Sequence, residues 1–449
     1  MFSTPTASEP AEHRPTAGWT PCAGAYAGKV TQPGTLASSV QHLIVETHKV
    51  DDVRSLISLV DPHRPLLWLR KGAGIAGIGE ALRLEFSGPS RMQDAAAAWR
   101  DVAGAATVTD PLRMPGTGLV AFGTFAFADR SAQTSVLIVP QVVVGRRDGV
   151  TWLTRIRIGS GHSDGANGIP RPTTFGPEYR VTLTPGAETA AGFQSHVAQA
   201  VDRILDGDLS KVVLSRDLTG RIPADADLRR VVSDLALGYP DCWTFAVDGL
   251  IGSSPETLVG VQDGAVTARV LAGTASRGSD AEADQQAAVN LVTSTKDQDE
   301  HQFAVQSVLT SLRSHTSHVL TSEMPFALKL PNLWHLATDI EGTLTDDATS
   351  LDLIDALHPT AAVAGSPTPA AVALIAELEP FDRGRYAGPV GWVGADGDGE
   401  WAIALRCAQV EPGGDVTAYA GGGIVGESVP EKELTETRMK FRPIVDAFG

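Results

Sequence analysis

Cysteine is nearly missing from this chain. Three occur in 449 residues, at Cys22, Cys242 and Cys407. They are too sparse and too far apart for a disulfide framework or a zinc site built from paired CxxC motifs. Reduced, incidental or buried thiols are expected instead. Positive charge is also in deficit: 36 Lys and Arg face 53 Asp and Glu, a net charge of −17. Such a balance argues against a nucleic-acid partner and against an anionic membrane surface. It leaves room for a small anionic substrate, because a local pocket can be positive on an acidic protein. No apolar run reaches the length that spans a bilayer. The N-terminus lacks a basic stretch followed by an apolar one, so no secretory signal is read there. A soluble, cytoplasmic protein is expected. Walker A and HExxH motifs are absent as well.

What is present is mostly strand-forming. Residues 1–30, rich in Pro, Ala, Thr, Ser and Gly, read as a mobile tail. Residues 31–190 form a first, variable part, with β-rich runs at "VQHLIVETH", "PLLWLRKG", "GLVAFGTFAFAD" and "SVLIVPQVVVGRRDGVTWLTRIRI". "RRDG" reads as a hairpin turn. The turn-rich "GSGHSDGANGIPRPTTFGPEYR" separates this part from residues 191–449. There, Phe193, Val197, Ala200, Val201, Ile204 and Leu205 recur at helical spacing, and Gly207 reads as the stop. "SKVVLSRDL", "CWTFAVDGLIGSSPE", "AVTARVLAGTASRG", "LWHLATDIEGTL", "YAGPVGWVG", "WAIALRCAQVEP" and "VTAYAGGGIV" read as strands. One long polar helix is expected over about 281–313, facing the core through Ala288, Leu291, Val292, Phe303, Ala304 and Val308. Shorter helices are expected near 369–378 and 431–447. The length suits two lobes or one large fused α+β unit.

The chemistry-bearing groups are few. Asp297 and Glu300 stand three apart, and so do Glu433 and Glu436, so each pair shares one helix face. Two such helices meeting would present four carboxylates, an oxygen-only set suited to a hard cation such as Mg²⁺. Taken alone, each pair reads equally as a solvated face. Lys211 opens an apolar strand; a partly desolvated lysine can serve as a general base. Glu256 follows "GSSP", and a glutamate held against an apolar wall keeps its proton and can act as an acid. Gly421, Gly422 and Gly423 let backbone N–H groups approach an anion, for which a carboxylate is a better candidate than a nucleotide phosphate. Arg406 and Lys440 could add positive charge. His335, between Trp334 and Leu336, reads by itself as a satisfied core histidine.

Taken together, "SKVVLSR", "GSSPETL", "LAGTASRG", "KDQDEH", "LWHLATDIEG", "HPTAAVAGSP", "YAGPVGW", "YAGGGIVGES" and "PEKELTETRMK" resemble, in order and spacing, the chorismate-utilising enzymes. The resemblance covers about 192–448. It implies an α+β fold of large antiparallel sheets packed on each other with helices outside. It implies Lys211 as the base that activates water and Glu256 as the acid that protonates the departing hydroxyl. It implies Glu300 and Glu436 as direct Mg²⁺ ligands, Glu433 as their partner and Asp297 acting through water. Gly273, Thr274, Tyr386, Arg406, Gly421, Gly423 and Lys440 match positions that hold the substrate carboxylates, and His335 matches an active-site histidine. The substrate would be chorismate, and the protein a monomer.

Two small residues discriminate within the family. Ala272 stands where aminodeoxychorismate synthases typically carry Lys, and it cannot form their covalent adduct. Ala362, 27 positions after His335, stands where ammonia-using and salicylate-forming relatives typically carry Thr and isochorismate synthases Ala. Water as nucleophile and isochorismate as product are therefore expected. Salicylate formation, anthranilate formation and an inactive chorismate-binding paralogue are the alternatives.

Overall fold

Runs such as Ser135–Val139 and Val120–Thr124 are apolar at nearly every position and buried at all five. A strand of that kind needs cover on both faces, so it belongs to a sheet sandwiched between layers. A computed structural model describes residue 1 and residues 41–159, 168–322 and 324–449. The chain divides into units Met1–Ser39 and Val40–Gly449; all that follows concerns the second. Apart from Met1, the expected tail at 1–30 lies outside the described residues, as does 160–167 of the turn-rich stretch.

Among the described residues, two sheets of 13 and 10 strands and eight α-helices form a mixed α+β fold. Pairing is antiparallel throughout except for Leu43–Val50 with Thr107–Thr109. Strands from the first part complete both sheets. Leu66–Arg70 pairs with Trp243–Val247 in the larger sheet, and Val120–Thr124 with Pro389–Gly394 in the smaller. Trp68, Trp152, Phe245, Phe122, Trp392 and Trp401 from the two sheets share one core. On the outer face of the larger sheet, helices Arg229–Gly238 and Pro430–Phe448 bury Val231, Val232, Leu235, Phe441, Ile444 and Phe448 in a second core. Helices Arg91–Ala105, Thr295–Leu312 and Ser350–Leu357 pack on the smaller sheet. No helix among the described residues is long and apolar enough to cross a membrane.

Local signals set many of the boundaries. Asp148 and Gly149 take φ of 50° and 74°, the left-handed pair that a two-residue hairpin needs. Asp248 and Gly249 do the same, so "CWTFAVDGLIGSSPE" is a hairpin of two strands, not one strand. Gly207 follows helix Ala190–Leu205 with φ of 90°, as expected of a stop. Leu205 in that helix is exposed, its last turn lying off the buried stripe.

The long helix expected over 281–313 is instead two helices, Ala281–Thr293 and Thr295–Leu312. Ser294 ends the first in an extended conformation and caps the second through its hydroxyl, which accepts from the Asp297 amide. Phe303 is exposed, against expectation. The buried stripe is His301, Ala304, Val308 and Leu312, and Phe303 falls one step of about 100° off it.

Phe245 lies at the join between the two parts, fully buried and stacked on Trp68 with centroids 6.5 Å apart. Phe245→Ala should lower stability by about 3–5 kcal/mol. The loss should appear as a lower urea midpoint, moving together in tryptophan fluorescence and far-UV circular dichroism.

Candidate active site

Two of the places where the chain crosses between the sheets lie side by side. Leu250–Ser254 belongs to the larger sheet and Thr257–Gln262 to the smaller, with Pro255 and Glu256 between them. Gly399–Ile403 belongs to the smaller sheet and Cys407–Val410 to the larger, with Ala404, Leu405 and Arg406 between them. The crossings are tied to each other. The Ile403 amide donates to the Glu256 carbonyl at 3.2 Å, the Ser253 amide to the Arg406 carbonyl at 3.1 Å, and the Ser254 hydroxyl to the Ile403 carbonyl at 2.6 Å. Arg406 has φ of 49°, a backbone cost of order 1–3 kcal/mol held by its neighbours. Beside this seam is a small cavity of about 60 Å³.

Twelve of the fifteen sequence-predicted residues line that cavity: Glu256, Gly273, Thr274, Glu300, His335, Ala362, Tyr386, Arg406, Gly421, Gly423, Glu436 and Lys440. Lys211, Asp297 and Glu433 lie just outside the lining. Lys211 is buried, and its Nζ sits 3.0 Å from Glu300 Oε1. Gly273 lies at the irregularity where the Ala265–Ser276 strand slips against Leu333–Leu344, with φ of 78°. A Cβ there would stand 3.1 Å from Asp297 Cβ, so the missing side chain lets helix Thr295–Leu312 close on the sheet.

The three glycines act in the same way, each for a different neighbour. The strand Asp415–Ile424 pairs with Lys211–Arg221, placing Gly421 opposite Ser215 and Gly423 opposite Val213. A Cβ on Gly423 would meet Glu300 Oε1 at 2.5 Å and Lys211 Cε at 2.9 Å. One on Gly421 would lie 3.1 Å from the Tyr386 hydroxyl, and one on Gly422 3.3 Å from Glu433 Oε2 and 3.6 Å from Glu436 Oε1. Three carboxylates and one ammonium thus converge on a strand stripped of side chains.

The electrostatics of the wall divide its groups. Burial pushes the Glu256 carboxyl up to about 8, against the pull of the Leu271 backbone, Arg406, Lys211 and Lys440, so it is protonated at neutral pH. Burial would also raise Glu300, but Lys211, then Lys440 and Lys296, hold it below the ordinary carboxylate value. Burial and the adjacent Glu436 raise Glu433 to about 7, and Ser428 donates to its Oε1 at 2.7 Å. Asp297 is raised by burial and by Glu300 and Glu436. Lys440 ion-pairs with Glu436 and donates to the Gly421 carbonyl at 2.9 Å.

Burial, with Arg406 and Lys440 nearby, holds His335 well below its ordinary value, hence neutral. Arg406 Nη2 donates to His335 Nε2 at 3.0 Å, so the proton belongs on Nδ1, which faces the Gly273 carbonyl at 3.1 Å. His335 is therefore a fixed acceptor that aims Arg406.

The donor set of Asp297, Glu300, Glu433 and Glu436 is all carboxylate oxygen and fits a hard divalent cation. Among the described residues, no three His, Cys, Asp or Glu side chains come together closely enough to hold a metal unaided. That geometry suits an ion held by one or two carboxylates and completed by water or substrate oxygens. Sequence reading missed the apolar wall of Val213, Pro255, Leu271, Val363, Ala387 and Leu405, which carries no reactive group to flag it. It also missed Ser428, whose only signal was its place five residues before Glu433.

A family model described as "Chorismate binding enzyme" matches residues 36–449. The chain is 39% identical over 286 residues to isochorismate synthase DhbC of Bacillus subtilis, covering 61% of this chain and 71% of that protein. It is 37% identical over 262 residues to isochorismate synthase EntC of Escherichia coli K12, covering 57% and 67%. The crystal structure of DhbC from Bacillus anthracis superposes with a TM-score of 0.73 at 31% identity, covering 88% of this chain and 98% of that one. MenF from Escherichia coli, at 24% identity and a TM-score of 0.72, shares the fold. The chain belongs to the chorismate-binding enzyme family.

Proposed function

We propose that this chain is an isochorismate synthase, converting chorismate to isochorismate. The similarity to DhbC and EntC supports the activity. The observation that carries the chemistry is a buried Glu256 in the wall of the cavity that Arg406, Lys440 and the Lys211–Glu300 pair flank.

The substrate is a dianion, and Arg406 and Lys440 supply fixed positive charge for its carboxylates. Lys211, as the base, takes a proton from water as the water oxygen bonds to C2. Electrons shift through the diene, and the C4–O bond breaks. Glu256 gives its proton to the departing oxygen, which leaves as water. One water enters and one leaves, so the net change is isomerisation. Glu300 and Glu436 would hold Mg²⁺, with Glu433 acting through water or as a further ligand and Asp297 through water, and the ion would neutralise the ring carboxylate and polarise the diene. Ala362 leaves room for the attacking water and the C2 hydroxyl. The enzyme is proposed to act as a cytoplasmic monomer, its product feeding menaquinone, siderophore or salicylate synthesis.

Incubation with chorismate and Mg²⁺ should give isochorismate as the main product by HPLC. Salicylate with pyruvate, anthranilate on adding ammonium, or no turnover would each replace this reading with another. Lys211→Ala and Glu256→Gln should each cut kcat by on the order of 10²–10⁴ while the fold is kept. Ala362→Thr should slow water addition or change the product mixture; no effect on either would leave Ala362 a packing residue.

Glu256 also sets a pH dependence of stability. Its folded value, about 8, lies above the ordinary 4.5. The folded state therefore holds the extra proton between those values, and the contribution is full below about 4.5 and lost as pH rises to about 8. Between about pH 5 and 8 the urea midpoint of the wild type should fall more than that of Glu256→Gln.

A further inference from the structure

We propose that Glu379 and Arg383 form a positioning pair that fixes the Ala362 wall against the Lys211 strand. Neither side chain borders the cavity. Arg383 is almost wholly buried, and it pairs with Glu379 at 2.6 Å. Its two terminal nitrogens then divide. Nη2 donates to the Val213 carbonyl at 2.7 Å and Nη1 to the Val363 carbonyl at 3.0 Å. Val213 lies two residues after Lys211 on the same strand, and Val363 follows Ala362.

Glu379 closes the arrangement from the other side. Its Oε1 accepts from the Ser215 amide at 2.8 Å and the Ser215 hydroxyl at 2.7 Å, one register step beyond Val213. The strand and the turn are also joined directly, by the Val213 amide donating to the Ala364 carbonyl at 2.8 Å. The guanidinium lies over the Phe127 ring at 4.5 Å, an apolar cover that keeps water from competing for these bonds.

The turn offers no polar side chain at Ala361, Ala362, Val363 or Ala364, and the Val363 and Ala364 amides bond within it to the Thr360 carbonyl. Only its backbone can be gripped, and the planar Arg fork grips it and the catalytic strand at once. Sequence alone shows Glu379 and Arg383 four apart, without the two carbonyls they serve.

The inference rests on the proposed reaction, with Lys211 and Ala362 on either side of the attacking water. A misplacement near 1 Å can cost about a hundredfold in rate. Arg383→Lys keeps the charge and the Glu379 partner but replaces the fork with a single nitrogen. Its kcat should fall on the order of tenfold to a hundredfold, with KM for chorismate changed less than about threefold. In ammonium buffer, its ratio of anthranilate to isochorismate should rise above that of the wild type, which is close to zero on the proposed function. That ratio does not depend on the amount of folded enzyme. The double variant Glu379→Gln/Arg383→Met, which leaves no unpaired buried charge, should show the same shift. Wild-type kcat and product ratio in a folded Arg383→Lys or in the double variant would overturn the proposal. If the wild type makes another product, the proposed function fails instead, and the pair is judged by the same comparison on that product.

Discussion

The site depends on one constraint: the crossing at Pro255 and Glu256 and the crossing at Ala404 to Arg406 must stay side by side. Glu256 lies on one crossing and Arg406 on the other, and backbone hydrogen bonds lock them together. At such a seam neither crossing is a full ladder strand, so side chains there escape the alternation of a packed sheet. That is how a carboxyl and a guanidinium come to be buried in one wall. The unusual φ of Arg406 is part of the same solution, turning its side chain toward the cavity and His335.

Around the seam, burial and charge act in opposite directions on chemically similar groups. Glu256 and Glu300 are both desolvated, yet one is protonated and the other ionised. The difference is the partner: Lys211 touches Glu300, while Glu256 has only more distant cations. Two like residues in two environments thus divide into a protonated and an ionised carboxyl, as the proposed roles of acid and ligand require. Asp297 and Glu433 are raised first by burial and then by the neighbouring carboxylates, more than Lys296 nearby offsets. A positive ion would relieve that crowding and offset the charge of an anionic substrate, so binding of the two should be cooperative. An acidic protein can therefore hold a dianion without contradicting its net charge.

Much of this was legible in the sequence. Strand runs, hairpin dipeptides and the Gly207 stop are local, so they could be read directly. The carboxylate pairs could be read because helical spacing is local too. Lys211, Glu256 and His335 were ambiguous by themselves and gained meaning through the family resemblance. What could not be read arises from contacts between distant segments. Ser294 breaks a helix that polar composition alone would continue. Phe303 lost its core place to His301, whose ring reaches Thr338 across 37 residues. Lys211 pairs with Glu300, which no strand pattern could report.

The least reactive stretch carries the most specific argument. Small residues make a wall by leaving space, but space selects a nucleophile only if its boundary is stiff. A turn of Ala and Val gains little stiffness from its own side chains. Its backbone carbonyls must therefore be held from behind, and a buried charge pair does this at a desolvation cost of several kcal/mol. Such a cost is tolerable where hydrogen bonds satisfy the remaining donors and acceptors, as Val213, Val363 and Ser215 do here. The charge at Arg383 and the absence of charge at Ala362 are thus two halves of one device: one keeps the other's emptiness in place.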